Sequence, residues 1–207
     1  MQSARVRYSP RVSEPNRSTE PYGLSEPYDR SEPNDGVPSA ALRDSHCSTC
    51  GAAHDNLSSW PRRCPACGHV AYRNPLPVAV ALQPVYDTRG TGLIVITRSI
   101  APALGRDALP GGFIDHGEDW RDAVVRELHE ETRIEAHARD VRLADLLSSP
   151  EGHLLVFGLL PAVPAAGLPP DEPTNETRGR HLLREPGELG FPLHTIATRA
   201  WFAGRYG

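Results

Sequence analysis

Glu127, Glu130 and Glu131 stand three and four residues apart inside residues 112–134, and on a helix that spacing gathers them on one face. Three carboxylates so placed repel one another, and a helix serving packing alone has little reason to collect them. A hard divalent cation supplies the reason, because Mg²⁺ or Mn²⁺ takes oxygen ligands and offsets the repulsion. The bland alternative is a solvated acidic face, which is what most charge clusters are. The spacing predicts a helix over residues 119–132, with Ala123, Val124 and Leu128 as its buried stripe and the three glutamates pointing away from it. Ala108 to Asp115 is a glycine-rich loop leading into that helix.

Gly112, Glu118, Arg126, Glu127, Leu128, Glu130, Glu131 and Ile134 fall on fixed positions of the pattern G-x5-E-x7-R-E-U-x-E-E-x-G-U, with U aliphatic and Leu109-Pro110-Gly111 leading in. The segment resembles the Nudix box. One position departs, since Arg133 stands where the family has glycine. The resemblance implies a Nudix α/β/α sandwich with a mixed sheet, and metal-dependent cleavage of the pyrophosphate linkage in a nucleoside diphosphate joined to another group. It further implies Glu127, Glu130 and Glu131 as Mg²⁺ or Mn²⁺ ligands, with the carbonyl of Gly112 or Gly111 as an extra ligand. Glu127 would also finish the deprotonation of the attacking water. Arg126 cannot lose its proton, so it would pair with Glu118 or Glu130 and fix that carboxylate's direction. The family often adds one acidic ligand downstream. Glu176 is the first candidate here and Glu151 the second. At residue 133 the family glycine ends the helix in a left-handed turn, where a side chain costs about 1 kcal/mol.

The four cysteines form two matched pairs, Cys47-x2-Cys50 and Cys64-x2-Cys67, thirteen residues apart. Paired knuckles at this separation fit tetrahedral Zn²⁺ in a small ribbon. Gly51 and Gly68 follow the second cysteine of each pair, where a knuckle needs a residue tolerant of positive φ. Disulfides and a redox CxxC are the competing readings. A cytoplasmic setting disfavours the first, and two matched pairs with trailing glycines disfavour the second. Four thiolates complete the shell, so such zinc is structural, and His46, His54 and His69 are bystanders.

A ribbon, a Tyr72-Arg73-Asn74-Pro75 link and the box together are similar to the zinc-ribbon Nudix hydrolases, among them NADH pyrophosphatases. Those enzymes carry a Ser-Gln-Pro-Trp-Pro-Phe-Pro-type motif after the box. This chain has at most Leu147-Ser148-Ser149-Pro150-Glu151 in that place. The resemblance therefore leaves ADP-ribose, FAD, NADH or a related dinucleotide as substrate. The alternative to an enzyme is a catalytically silent Nudix module that senses a ligand. Loss of box glutamates would mark that alternative, and none is lost.

The rest of the chain sets boundaries. Residues 13–36 repeat with period six around Glu-Pro and hold almost no aliphatic residue, so residues 1–40 are expected to be a disordered tail. Residues 41–74 are expected to form the ribbon and residues 75–207 the hydrolase domain. Within the latter, Val78–Leu82 and Gly92–Thr97 read as two neighbouring strands around a turn at Asp87–Gly90, and Leu154–Leu160 as a further buried strand. Residues 161–173 are a proline-rich loop long enough to act as a substrate lid, and residues 194–203 a final helix. Net charge is −4 with every basic residue an arginine, which argues against a nucleic-acid partner. No apolar run approaches the roughly 20 residues of a membrane span, so a cytoplasmic protein is expected. Self-association into a homodimer is left open.

Overall fold

The computed structural model describes residues 44–206, so the expected tail lies outside the described residues. The chain divides into two compact units, one holding residues 44–58 with Cys64–His69 and the other residues 59–63 with residues 70–206.

The larger unit is α/β. Its strands are β1 (Arg62–Arg63), β2 (Val70–Ala71), β3 (Leu76–Leu82), β4 (Pro84–Asp87), β5 (Gly90–Arg98), β6 (Asp107–Ala108) and β7 (Gly111–Phe113), followed after the first helix by β8 (Arg142–Ser148), β9 (His153–Leu159), β10 (Val163–Pro164) and β11 (Thr177–Leu183). The helices are α1 (Trp120–Thr132) and α2 (Pro192–Phe202). One mixed sheet runs β7-β3-β9-β8, with β3 and β9 parallel and the other pairs antiparallel. The second runs β10-β4-β5-β11, with β6 added to β5. β1 and β2 form a small antiparallel pair of their own.

Residues Val78–Leu82 are apolar without a break because both faces of β3 are covered. Ala79 and Ala81 join Val124, Leu128 and Ala123 of α1 in one buried cluster, while Val80 and Leu82 join Phe157, Leu109 and Ala197 of α2 in the other. The sheet is thus sandwiched between the two helices. Burying Leu128 fully contributes about 1.5–3 kcal/mol, and cutting it to alanine would cost about 2–5 kcal/mol.

One expectation is corrected here, and the proline-rich segment gains a described set of contacts. Val78–Leu82 and Gly92–Thr97 are not paired neighbours, because they belong to different sheets. The chain changes sheet at Gln83-Pro84. Pro84 has no N–H to continue a ladder, and the buried Gln83 amide donates to the carbonyls of Pro84 and Pro161 at 2.8 and 2.9 Å. The hairpin is β4–β5, and Asp87 Oδ1 accepts from the Arg89 N–H at 2.8 Å within its turn. The proline-rich segment, expected as a lid, is tied down. Val163 and Pro164 pair with β4, and Val163, Ala165 and Leu168 pack on the α1-side core. The Arg180 guanidinium donates to the carbonyls of Pro169, Pro170 and Thr132, joining the segment to the end of α1.

Both ends of α1 follow from local chemistry. Asp119 accepts from the Arg121 N–H at 2.8 Å as N-cap. Arg133 ends the helix at φ 60°, its N–H donating to His129 O at 2.8 Å. The left-handed turn is made with an arginine in place of glycine, and the side chain's steric cost remains in the fold. Among the described residues no helix is long and apolar enough to cross a membrane.

Candidate functional site

α1 and the loop before it bring the box residues together. Arg126 grips Glu118 with two parallel hydrogen bonds, Nε to Oε1 at 2.8 Å and Nη2 to Oε2 at 2.9 Å. Its Nη1 donates to Glu127 Oε1 at 2.6 Å and lies 3.6 Å from Glu130 Oε2, and Nη2 also donates to Phe113 O at 3.0 Å. One guanidinium therefore organises three carboxylates. Glu118 takes a further hydrogen bond from the Asp115 N–H at 2.9 Å. The Arg126 contact, with that N–H, holds the Glu118 carboxyl down at about 2.

Glu131 departs from the expected picture. It does not point away from the buried stripe but is itself buried, at 5% exposure, and its Oε2 accepts from the Gly111 N–H at 2.9 Å. Burial pushes its pKa up to about 8, helped by the charges of Glu127 and Glu176 and opposed by Gly111 N–H and Arg98. Burial also raises Glu127, against the pull of Arg126 and with the push of Glu130 and Glu176. Glu130 stays half-exposed. An acidic cluster whose members resist ionising together is the donor set that a divalent cation suits. The carboxylates do not converge on one point, however. Among the described residues only the cysteines place three or more such ligand atoms within 4.8 Å of one another.

Gly111 and Gly112 have identifiable tasks. A Cβ on Gly111 would lie 3.0 Å from Val80 Cα and would strike the Ala79 carbonyl oxygen, so glycine lets β7 close on β3. A Cβ on Gly112 would lie 2.6 Å from the Glu127 carboxyl carbon, inside the space that the carboxylate occupies. The backbone at 112 thus runs directly under Glu127.

Glu176 is drawn to this cluster by the turn before β11. Thr174 Oγ1 accepts from the N–H groups of Glu176 and Thr177 at 3.2 and 3.1 Å, and Ser99 N–H donates to Glu176 O at 2.8 Å. Glu151 lies in the exposed turn joining β8 to β9. Sequence reasoning missed Arg98 and His194. Arg98 is buried at the end of β5, donates from Nε to Pro102 O at 2.8 Å, and carries a charge felt by both Glu131 and His194. The available signal was a charged residue closing an apolar strand just before the glycine loop.

In the smaller unit the four sulfurs converge. Cys47 and Cys67 Sγ are 3.7 Å apart and Cys50 and Cys64 Sγ 3.6 Å apart, with no disulfide among them. Tetrahedral thiolates at about 2.3 Å from zinc are spaced about 3.8 Å, so this set fits the ion. The knuckles repeat one geometry: Gly51 and Gly68 sit at φ 75° and 73° and donate to the carbonyls of Cys47 and Cys64 at 2.9 and 3.0 Å. Backbone N–H groups at Thr49 and Cys50 bring the Cys47 thiol down to about 6. At Cys67 the His69 N–H pulls downwards, but the neighbouring Cys50, Cys64 and Cys47 sulfurs, with burial, push the thiol up to about 12. If all four were ionised they would repel one another, and a cation between them would offset that repulsion.

Residues 75–195 match the family model of the NUDIX domain. An ADP-ribose pyrophosphatase of Methanocaldococcus jannaschii is 36% identical over 88 residues, 41% of this chain and 50% of that protein. The chain thus spans about half the length of this curated relative. Among solved structures, a NUDIX hydrolase from Nitrosomonas europaea superposes with a TM-score of 0.55 at 22% identity, covering 78% of this chain and 92% of that one. A C. elegans Ap4A hydrolase gives 0.50 at 16% identity, covering 62% and 97%. Both likenesses are of fold.

Proposed function

This chain belongs to the NUDIX domain family, and from that premise we propose that it hydrolyses the pyrophosphate bond of a nucleoside diphosphate linked to another moiety, releasing a nucleoside monophosphate and a phosphate ester. The observation that carries this reading is the arginine-organised carboxylate set on α1. Arg126 clamps Glu118 and steers Glu127, while Glu131 takes the Gly111 N–H and feels the charges of Glu127 and Glu176.

Glu127, Glu130 and Glu131 would hold Mg²⁺ or Mn²⁺, with the Gly112 carbonyl and Glu176 as further ligands. A divalent cation bound there would neutralise charge on the phosphate oxygens and make a water easier to deprotonate. Arg126 keeps its proton throughout, so its two bonds to Glu118 fix the direction from which it meets Glu127. Glu127, raised by burial, binds a proton more readily than an exposed carboxylate and acts as the general base. The glycine at 112 leaves the space in which that carboxylate lies. In the smaller unit Cys47, Cys50, Cys64 and Cys67 would hold one structural Zn²⁺, a closed shell with no place for substrate.

For the substrate, the missing NADH-type motif favours ADP-ribose or FAD over NADH, and the name of the M. jannaschii relative points to ADP-ribose. Hydrolysis of a nucleotide panel with Mg²⁺ and with Mn²⁺ tests the reading, the expected products being AMP and a second phosphate ester. No cleavage of any dinucleotide or nucleotide-sugar would reject it. A tenfold preference in kcat/KM for NADH, about 1.4 kcal/mol of transition-state discrimination, would overturn the substrate assignment alone.

A further inference from the structure

The first backbone groups of the glycine loop are each held by a different element. The Leu109 N–H donates to His194 Nδ1 of α2 at 3.1 Å. The Pro110 carbonyl accepts from the Ala81 N–H of β3 at 2.8 Å. The Gly111 N–H donates to Glu131 Oε2 of α1 at 2.9 Å. Leu109 is 1% exposed and His194 6%, so water offers the Leu109 N–H no ready substitute for the imidazole.

We infer that His194 is a positioning residue for the carboxylate site: by accepting from the Leu109 N–H it holds the loop in the conformation that presents the Gly111 N–H to Glu131. The inference rests on the metal-site reading above for its functional consequence. A buried imidazole among apolar neighbours is costly unless its nitrogens are used, and a phenylalanine would pack there without that cost. The ring stands edge-on to Phe157 at 6.0 Å and tilted on Phe191 at 5.0 Å, which leaves it little freedom to turn. Accepting at Nδ1 requires the neutral tautomer with its proton on Nε2. Burial first, then the nearby Arg98 charge, hold the imidazole down at about 3, so the acceptor persists at neutral pH. Only Pro110 separates Leu109 from Gly111, so a displacement at one is passed to the other.

The test compares His194→Phe, which keeps a ring but removes the acceptor, with His194→Asn, which keeps an acceptor oxygen. Mn²⁺ binding to the full chain is followed by EPR of the free ion, and Gly111 amide exchange by NMR. Loss of a ligand's own outer hydrogen bond costs roughly 10- to 100-fold in metal affinity, and Gly111 N–H to Glu131 is that bond; acting on it one step removed, His194→Phe should weaken Mn²⁺ binding by about tenfold, and His194→Asn should restore most of it. Gly111 exchange should speed up in the phenylalanine variant only. Equal Mn²⁺ binding by wild type and His194→Phe, or equal loss in both variants, would reduce His194 to a packing residue and overturn the inference. If wild type bound no Mn²⁺, the metal reading would fall, and the loop claim would stand or fall on the Gly111 exchange rates. Should His194→Phe fail to fold, the ¹⁵N shifts of wild-type His194 decide, since a proton on Nδ1 would exclude the acceptor role.

Discussion

The cysteine unit and the glutamate site both gather groups that repel when ionised, and they do it in opposite ways. Four sulfurs from two short knuckles converge within 4.8 Å, each knuckle closed by its own backbone. The carboxylates come from α1, the loop before it and the turn before β11; Arg126 pairs with Glu118, Glu127 and Glu130, and the Gly111 N–H with Glu131. A closed sulfur shell completes its ion and leaves nothing for chemistry. A spread, partly neutralised oxygen set leaves room for a substrate phosphate and for a carboxylate that takes a proton. The contrast teaches that a set supplied by two repeated knuckles closes its own shell, whereas a set drawn from several elements and shared with an arginine and a backbone N–H leaves positions open.

The largest expected effect breaks the comparison on the glutamate side. Glu127→Gln should lower kcat by at least about 100-fold while the variant melts near wild type, because it removes the base but no core contact. Steady-state kinetics with a circular-dichroism melt checks this, and near wild-type turnover would mean the site is misplaced. Gly112→Ala comes next. Its Cβ must displace the Glu127 carboxylate, and a misplacement of about 1 Å can cost about 100-fold, so kcat should fall by roughly one to two orders of magnitude. If kcat were unchanged, the backbone under Glu127 would not be setting its position.

On the sulfur side the expected change is in order and not in rate. Metal analysis should find about one zinc per chain, and chelating it should raise amide exchange over residues 46–72 while changing kcat by less than about twofold. Collapse of kcat along with zinc would erase the distinction between the two regions.

A pH series sharpens the Arg126 part of the contrast. The folded Glu118 pKa, about 2, lies below its ordinary 4.5. The ion pair therefore contributes stability fully above about 4.5, and that contribution disappears as pH falls from there through about 2. Thermal melts of wild type should lose ground to Glu118→Gln across this window, and parallel curves would show that the pair contributes nothing. The smallest effect belongs to the helix end. Arg133→Gly should stabilise by about 0.5–1 kcal/mol, since φ is already 60°, with kcat unchanged in the same assay.

What could be read in the chain was what local spacing determines. The α1 helix and its Ala123, Val124 and Leu128 stripe follow from positions three and four apart, and its left-handed end at residue 133 follows from the resemblance to the Nudix box, which has glycine there. The two knuckles follow from paired cysteines with trailing glycines. Each of these is decided within a few residues, where backbone geometry leaves few alternatives.

Only the tertiary structure decided the rest. An apolar run does not say which strand it will pair with, so Val78–Leu82 and Gly92–Thr97 looked like neighbours until Gln83-Pro84 sent them into separate sheets. The proline-rich segment looked free because its restraint, Arg180, lies beyond it and acts through carbonyl oxygens that every residue possesses. Glu131 looked exposed because a helical spacing cannot show that Gly111 would close over it. His194 meets Leu109 across 85 residues of chain. Such pairings depend on the whole sheet order, and no window of sequence contains both partners.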